Sequence, residues 1–483
     1  MSCFYNVTLI HLGDNPTPKG SKYNNVINAM GIDYSKLGSP ETRSFWLNDF
    51  GPYSPSPPLQ DNHQTDIVIV GGGFTGLSCA AHLKELDPSV EVTVLEGSTV
   101  GFGASGRNGG FSMTLFGFEP EITCLLHGKE KARAAHQYME DAVDYVRDCV
   151  SRYNFDSDYE HNGFLRIALT NKHRERLQKQ QHLYQELGFS SSFDWWSEDQ
   201  LSQQLHSPLA KAGLFEQRCG ILNPAKQVRH WKTICEQLGV RIYENTLCQA
   251  ISYPRGGVTV QTTGGTITAS KVVLATNAYS HLIPEMGAFR RNQTPIWTHQ
   301  IVTQSLTPEQ WRAIGWAGRY GIETNRHLVH YLRPTADGRI TFGGANVVTT
   351  TGQNMSLDHH KPTWRTLEKH LKILFPPLAE IGIDYQWGGP VSVTLDMVPN
   401  LGFYKDERTL YLCGCTGHGV SLTQYSGKTL AELALGRESK RTQAWFVNRT
   451  PVRWPVEPFR QLGIAAVKGA LKAEDYWWER KLW

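Results

Sequence analysis

The sequence predicts an α/β fold that combines a parallel sheet with a second, antiparallel sheet carrying helices on one side. Three observations predict this fold. A strand, a glycine-rich turn and a helix follow one another at 66–86, and a similar succession returns at 409–435. Residues 281–394 instead alternate short strand patterns with one helix pattern around 364–374, which is typical of an α+β unit built on an antiparallel sheet.

The first strand–turn–helix is the most informative stretch of the chain. Residues 66–70 form a near-continuous apolar run, as in a parallel strand buried on both faces. The turn 71–76 fits G-x-G-x-x-G, in which glycines let the backbone approach a pyrophosphate at the start of the next helix, 77–86. The strand 90–95 then ends on Glu96, an acid suited to accept hydrogen bonds from a ribose. Dinucleotide binding is therefore expected; the alternative is an ordinary tight turn.

Two later stretches extend the same sheet. Short strands between 249 and 268, separated by turns rich in Gly, predict a small antiparallel meander that leads into a buried strand at 272–276. A strand at 409–413 and a glycine-rich turn at 414–419 precede a helix at 422–435. We expect this turn to direct a second helix N-terminus at a ligand.

Composition narrows the function classes. The 483 residues suffice for two or three domains, and the net charge is only +3, so neither nucleic acid nor an anionic membrane is expected as the main partner. No apolar run approaches the ~18 residues of a membrane span, and no secretory signal is recognised. The nine Cys are scattered without metal-ligand spacing, so we expect reduced thiols, no metal site and a cytoplasmic protein.

Both ends of the chain are interpreted as additions to this core. Residues 1–60 form an extension, in which the proline-spaced stretch 51–58 excludes helix and central strand, while the aromatic residues at 45–47 offer an anchor on the body. Helical pattern dominates 120–153. Residues 441–483 are expected to form a helical tail, and its closing tryptophans must pack on the body or form a contact surface.

These blocks resemble the flavoprotein family of D-amino-acid oxidase, glycine oxidase and monomeric sarcosine oxidase, most closely its γ-glutamylputrescine oxidoreductase branch. The stretches that carry the resemblance are 66–96, 100–110 (VGFGASGRNGG), 272–279 and 415–420 (CTGHGV). It implies a Rossmann-type, discontinuous FAD-binding domain with an inserted α+β antiparallel-sheet substrate domain. The implied division is an extension at 1–60, an FAD-binding domain at 61–115, 224–280 and 395–440, a substrate domain at 116–223 and 281–394, and a C-terminal helical tail at 441–483.

The resemblance also implies which residues hold FAD. The first turn is expected to cradle the pyrophosphate, Glu96 the adenosine ribose, and the turn 417–420 the pyrimidine side of the flavin, where a helix N-terminus stabilises the negative charge of the reduced ring. The expected contacts are Gly71, Gly73, Phe74, Thr75, Gly76, Glu96, Gly103, Ala104, Ser105, Arg107, Asn108, Gly109, Gly110, Gln249, Thr276, Asn277, Gly417, His418, Gly419 and Val420.

The chain departs from the family at chemically important positions. The stretch that matches the flavin-bearing cysteine of monomeric sarcosine oxidase, 392–395, has no cysteine, and no Trp-His pair stands at 102–104. Non-covalent FAD is therefore expected. The oxygen-activating and the carboxylate-binding lysine of sarcosine oxidase fall near Thr341 and near Ser421, and neither of these residues is a lysine. Both oxidase and dehydrogenase chemistry stay open.

Amine oxidation by a flavin requires an orienting pocket more than a dedicated base. Tyr331 is the first catalytic candidate, because it matches a tyrosine of the putrescine branch. Arg333 is either a carboxylate clamp or part of a structural ion pair. His418 is either held for geometry or tunes the electron affinity of the flavin. His299 is a further catalytic candidate, and the other pocket candidates are Gln300, His327, His330 and Trp387.

The expected function is that of an FAD-dependent oxidoreductase that oxidises the C–N bond of a small amine or amino acid to an imine. The imine hydrolyses to an aldehyde or keto acid, and O2 is the expected electron acceptor. Three alternatives remain: a flavin dehydrogenase with another acceptor, a flavin-free NAD(P)-binding enzyme, and a non-catalytic scaffold that uses the tryptophan-rich tail.

Overall fold

The structure is a computed structural model that describes residues 44–349, 351–352 and 355–483. Its helices are α1 Phe45–Asp49, α2 Phe74–Leu86, α3 Pro120–His127, α4 Lys129–Arg152, α5 Asn171–Glu186, α6 Glu198–Ser202, α7 Pro224–Gln237, α8 Phe289–Asn292, α9 Pro308–Ile314, α10 Lys361–Leu374, α11 Gly419–Ala434 and α12 Phe459–Glu479. Its strands are β1 His63–Gln64, β2 Ile67–Val70, β3 Val92–Leu95, β4 Phe111–Ser112, β5 Phe164–Ala168, β6 Asp194–Trp196, β7 Ala212–Glu216, β8 Gly220–Ile221, β9 Arg241–Tyr243, β10 Cys248–Ser252, β11 Val258–Thr262, β12 Thr266–Ala269, β13 Lys271–Leu274, β14 Thr294–Thr303, β15 Gly321–Thr324, β16 His330–Pro334, β17 Ile340–Gly344, β18 Ile383–Val393, β19 Asn400–Tyr404 and β20 Asp406–Cys413.

Three separated stretches of the chain meet in one sheet of order β19-β20-β13-β2-β3-β9. All its neighbouring strands are parallel except β19, which pairs with β20 in the antiparallel sense. The central strand β2 is buried on both faces, as its apolar run predicts. Ile67 and Ile69 pack among the helices, whereas Val68 and Val70 pack against the meander on the other face. This alternation explains why a strand between two layers carries no polar residue.

The meander forms a separate sheet of order β1-β12-β11-β10, which confirms the expected hairpins. The helices differ from expectation in their limits. Both α2 and α11 begin three residues earlier than predicted, because the last glycine of each turn is already helical. The single helical pattern at 120–153 is two helices, interrupted at Gly128, whose φ of 88° ends α3.

The second large sheet has the order β18-β14-β17-β16-β15-β5-β7-β6, and α10 packs on it. Its described neighbours are antiparallel except for the parallel pair β5–β15. The sequence pattern does not indicate β5, because Arg166 interrupts its apolar run. That guanidinium is buried and is compensated by carboxylates from distant segments, a pairing that local pattern does not indicate.

The segment before the first strand is anchored as expected. Phe45 and Trp46 are buried, and the Trp46 indole Nε1 donates to the Asn108 carbonyl oxygen at 2.8 Å. Residues 51–60 form neither helix nor strand, as their prolines predict, and the expectations for 1–43 lie outside the described residues. No described helix is both long and apolar enough to traverse a bilayer. The domain limits stay a prediction.

Candidate FAD and substrate site

A cavity of about 710 Å³ lies at the carboxyl ends of the parallel strands, where open α/β sheets bind ligands. Its walls come from the turns after β2, β13 and β20, from the loop 97–109, and from the second large sheet. Both glycine-rich turns line this one cavity, and their helices pack together: the Ser78 hydroxyl of α2 donates to the Gln424 carbonyl of α11 at 2.6 Å. The two remote turns therefore converge, as expected.

The turn after β2 requires its glycines for close packing. Gly71 has a φ of 116°, and a Cβ there would lie 2.6 Å from the Ala275 carbonyl oxygen. A Cβ on Gly76 would lie 2.0 Å from the Gly71 carbonyl oxygen. Gly76 therefore fixes the helix against the strand and does not line the cavity itself. Gly73 caps α2 without a side chain, and the Phe74 N–H donates instead to the Ser105 Oγ of the loop 97–109 at 3.0 Å. The start of α2 thus lies in the cavity wall without a capping side chain of its own.

Glu96 supplies a carboxylate at the adenosine end of the cavity. Its Oε2 accepts from the Gly72 N–H at 2.8 Å, and its Oε1 accepts from the Ser98 N–H at 2.9 Å. Burial raises the pKa of Glu96 to about 7, although these backbone hydrogen bonds lower it. A buried carboxylate of this kind is stabilised when hydroxyl donors such as those of a ribose reach it.

The loop 97–109 is fixed from beneath by the N-terminal segment. The Ser44 hydroxyl donates to the Gly106 carbonyl at 2.6 Å, next to the Trp46 contact with Asn108. Asn108 uses its own amide for the Ala104 carbonyl at 3.0 Å, so it shapes the loop as well as lining the cavity. Arg107 donates to the Phe102 and Gly388 carbonyls, each at 3.0 Å, and thereby joins this loop to the second sheet.

The turn before α11 presents His418 and a second uncapped helix start. The His418 Nδ1 lies 2.9 Å from the Gly117 carbonyl oxygen, which only accepts, so Nδ1 carries the proton. Burial lowers the pKa of His418 to about 4, and the ring is neutral at pH 7. No side chain caps α11, so its first N–H groups and the positive end of its dipole are available to a ligand.

Tyr331 lies on the floor of the cavity, in the second sheet. Its ring covers Gly343, where a Cβ would lie 2.3 Å from the ring, and stands edge-on to Phe111 at 5.9 Å between centroids. Burial raises the pKa of Tyr331 to about 12, so its phenol stays protonated. Gln300 lines the same floor, and its Nε2 donates to the Arg107 carbonyl at 2.8 Å while its Oε1 has no partner in the described structure.

The structure brings most of the expected site residues together. Those that line the cavity are Gly71, Gly73, Phe74, Thr75, Glu96, Gly103, Ala104, Ser105, Arg107, Asn108, Gly109, Thr276, Asn277, Gly417, His418, Gly419, Val420 and Tyr331, with Gln300 and His327 from the further candidates. Those that do not are Gly76, Gly110, Gln249, His299 and Arg333, with His330 and Trp387. At the adenine end, Leu247 and Cys248 line the wall in place of Gln249.

Arg333 and His299 need correction as catalytic candidates. The Arg333 guanidinium is fully buried and donates to the backbone carbonyls of Leu222, Gly110 and Pro334, so it does not clamp a carboxylate. The expected ion pair is absent too, since its described partners are carbonyls. His299 points to the opposite face of its strand, where Nε2 lies 2.8 Å from the Leu357 carbonyl oxygen.

Other residues that line the cavity are not indicated by the sequence pattern. Glu119 and Glu323 stand at the substrate end, and α12 covers part of the cavity with Ile464 and Lys468. A single glutamate in a short strand or helix pattern does not indicate a binding site, because most glutamates lie on the solvent-exposed surface. The tail did show an apolar pattern, but its docking position depends on tertiary contacts. Among the described residues no cluster of His, Cys, Asp and Glu suits a metal ion.

The residues of the cavity fit FAD on three counts. Glu96 is a partly buried carboxylate in the cavity wall that can accept from further hydroxyl donors. The starts of α2 and α11 have no capping side chain and lie where a pyrophosphate and a flavin would meet them, and the glycine turn admits a close backbone approach. The Asn277 Oδ1, buried in the same wall, also has no described hydrogen-bond partner.

Comparison with known proteins identifies similar chains. The family described as FAD dependent oxidoreductase (DAO) matches residues 66–433. The chain is 30% identical over 431 residues to the gamma-glutamylputrescine oxidoreductase of Escherichia coli, covering 88% of this chain and 97% of that protein. It is 29% identical over 403 residues to the probable oxidoreductase OrdL of Haemophilus influenzae, covering 82% and 89%. Glycine oxidase from Geobacillus kaustophilus shares the fold, with a TM-score of 0.68, 18% identity, and coverage of 80% and 100%.

Proposed function

Since the chain belongs to the FAD dependent oxidoreductase (DAO) family, it is an FAD-dependent enzyme, and we propose that it oxidises the C–N bond of an amine or amino acid. The observation that carries this proposal is the continuity of one cavity from Glu96, at the adenosine end, to Tyr331 in the second sheet. A cofactor laid along this cavity meets a substrate on the floor of the second sheet. Family membership also removes support from the NAD(P)-binding and scaffold alternatives.

When bound, the flavin supplies a two-electron acceptor for the substrate C–H bond. The residues of the chain orient the substrate and exclude water. The rings of Phe111 and Tyr331 give the floor an apolar surface, and the Tyr331 hydroxyl and Gln300 amide provide polar groups beside it. His418, neutral and with its proton on Nδ1, leaves Nε2 as a hydrogen-bond acceptor. The amine gives up two electrons to the flavin together with two protons, one of which leaves with the electron pair as hydride, and becomes an imine. Water hydrolyses the imine to an aldehyde or keto acid and releases ammonia or the remaining amine.

We propose that FAD is held without a covalent bond. The cysteines that line the cavity are Cys248 and Cys415, and burial raises the pKa of both thiols, to about 12 for Cys248. The thiol form is a poor nucleophile, so attachment through sulfur is disfavoured. Acid precipitation tests this: free FAD should stay in the supernatant, whereas a yellow pellet would show covalent attachment.

O2 is the electron acceptor that we propose, and a dehydrogenase using another acceptor is the second candidate. The second candidate is favoured by the region around Thr341, a buried residue of β17, because the oxygen-activating lysine of sarcosine oxidase falls near this position. Peroxide release with substrate in air supports the oxidase. Flavin reduction by substrate without reoxidation in air supports the dehydrogenase.

We further propose that the enzyme works in the cytoplasm. The eight described cysteines are all free thiols, which suits a reducing compartment. Fractionation of the native cells, with an antibody against the protein, tests this proposal. Recovery from a secreted fraction would contradict it.

The central experiment is an anaerobic panel of amines and amino acids, scored by bleaching of the flavin absorbance. At least one compound should bleach the FAD-loaded enzyme. Tyr331→Phe should keep its FAD but lower kcat/KM about tenfold, the effect of one lost hydrogen bond near 1.4 kcal/mol. Tyr253→Phe is the matched control and should match the wild type, because it removes a hydroxyl outside the cavity, just after β10, that accepts from Thr409 of β20. Flavin that no amine or amino acid reduces would refute the proposal.

A further inference from the structure

A row of neighbouring residues on the cavity floor, which includes the acid Glu323, points to the chemistry of the substrate. Pairing across the second sheet places Gln300 beside Gly343, Gly343 beside Tyr331, and Tyr331 beside Glu323. Residues directly opposite on neighbouring strands project from the same face. Gln300, Tyr331 and Glu323 indeed line the cavity together, and Arg166 continues the row as the neighbour of Glu323 on the next strand.

Glu323 is the member of this row that lacks a partner. Its side chain is 7% exposed, and no hydrogen bond or close ion pair joins its carboxylate to another described group. Burial raises the pKa of Glu323 to about 7, and the charges that act on it are those of Arg166, Glu119 and Arg176. A buried carboxylate facing a cavity without a donor is stabilised by a cation that enters the cavity.

The surrounding charges do not neutralise it. Arg166 is influenced by Glu119, Glu216 and Glu323 together, so one guanidinium serves three carboxylates. Arg176 compensates Glu119, whose oxygen lies 3.3 Å from its guanidinium. Two guanidinium groups therefore face three carboxyl groups in this part of the protein. Glu119 has its ion pair and Glu216 accepts from the Thr114 hydroxyl at 2.6 Å, so Glu323 is the one of the three without a close partner among the described residues. Glu121, nearby but outside the cavity wall, adds to the negative side.

We propose that Glu323 binds a second cationic group of the substrate, so that the enzyme selects amines carrying another ammonium a short chain away from the oxidised carbon. This inference rests on the proposed function. Neighbouring strands lie ~4.8 Å apart, so a molecule that contacts Tyr331 reaches Glu323 with a few methylene groups. The carboxylate selects against a substrate whose far end is itself a carboxylate, because two like charges would then be buried together.

The test compares three probes with the same four-carbon chain: 1,4-diaminobutane, butylamine and γ-aminobutyrate. Binding is measured anaerobically by calorimetry on the FAD-loaded enzyme, and flavin bleaching is recorded in parallel. The diamine should bind at least tenfold more tightly than butylamine, and γ-aminobutyrate more weakly than either. In Glu323→Gln the advantage of the diamine should fall at least tenfold, while butylamine binding changes less than about threefold.

Glu121→Gln is the matched control, since it removes one carboxylate from the same cluster without touching the cavity wall. It should keep the preference for the diamine. Equal weakening by both variants, or equal binding of diamine and butylamine to the wild type, would overturn the proposal. If Glu323→Gln fails to fold, the relative affinities of the wild type for the diamine and for butylamine still test the proposal. Diamine preference without bleaching contradicts the proposed function alone, whereas bleaching without preference contradicts this subsite alone.

Discussion

The pH dependence of FAD binding provides a quantitative test of Glu96. Without a ligand, burial raises the pKa of this carboxyl to about 7 from its ordinary value of 4.5. Ribose hydroxyl groups donate to the ionised carboxylate and stabilise that form, so the pKa should fall when FAD binds. The linkage then has a definite sign: FAD binds tightly above pH ~7, and the affinity is lost as the pH falls through ~7.

The size of the effect follows from the two pKa values. If the bound carboxyl returns to 4.5, the free form at pH ~5 is almost fully protonated and the bound form is mostly ionised. The Kd for FAD at pH ~5 should then exceed the Kd at pH ~8 by about 70-fold, which corresponds to about 2.5 kcal/mol. A smaller drop in the pKa gives a smaller ratio, because each pKa unit changes the affinity at low pH by up to about tenfold.

The assay is titration of the FAD-free protein with FAD by calorimetry across this pH range, with circular dichroism to show that the fold persists. Glu96→Gln is the decisive variant, because its amide does not titrate. It should bind FAD at least tenfold more weakly at pH ~8 and lose most of the pH dependence. A wild-type Kd constant within about twofold, or a variant with the wild-type slope, would refute the reasoning.

Three further predictions follow from packing and burial. Gly76→Ala should abolish FAD loading and lower the melting temperature, because its Cβ meets a backbone oxygen at 2.0 Å, whereas Gly469→Ala, with open space around it in α12, should load FAD normally. Arg333→Met should lower the free energy of unfolding by about 3 kcal/mol, because it removes hydrogen bonds to buried carbonyls. The ratio of KM values between carboxylate-bearing and carboxylate-free substrates should stay unchanged. A shift in this ratio would show that Arg333 does bind a substrate carboxylate. Burial lowers the pKa of His370, which stacks on Trp483, to about 3, so the stability of the docked tail should be full above pH ~6.5 and decline as the pH falls. The measurement is the hydrogen-exchange protection factor at 459–483, which removes the pH dependence of the intrinsic exchange rate. The protection factor should fall with the pH, and one that is constant between pH ~7 and ~5 would argue against this.

The fold was predictable where local patterns carry it. The apolar run of β2, the glycines of the turn and the meander hairpins are local signals, and all three are confirmed. Strand β5 was not predictable, since its buried Arg166 depends on carboxylates far away in the sequence. The parallel pairing of β5 with β15 was not predictable either, because the order of strands in a sheet is set by tertiary contacts.

The candidate site also contains residues that local patterns predict and residues that they do not. Turn residues and Glu96 follow from a motif whose geometry is fixed by the backbone, and the structure places them around one cavity. Strand alternation correctly separates Tyr331 from His330. It did not reveal that Arg333, on the same face as Tyr331, is turned to backbone carbonyls, because only the packing of the loop 107–110 and residue 222 shows this. Glu323 became a candidate only through its pairing beside Tyr331.

The most direct test of the central claim, that separate segments hold one FAD along this cavity, is an experimental structure of the FAD-loaded protein. The pyrophosphate should lie at the start of α2, a ribose hydroxyl within hydrogen-bond distance of the Glu96 carboxylate, and the flavin ring between Tyr331 and the turn 417–420. A cofactor bound in the reverse direction, or outside this cavity, would contradict the account.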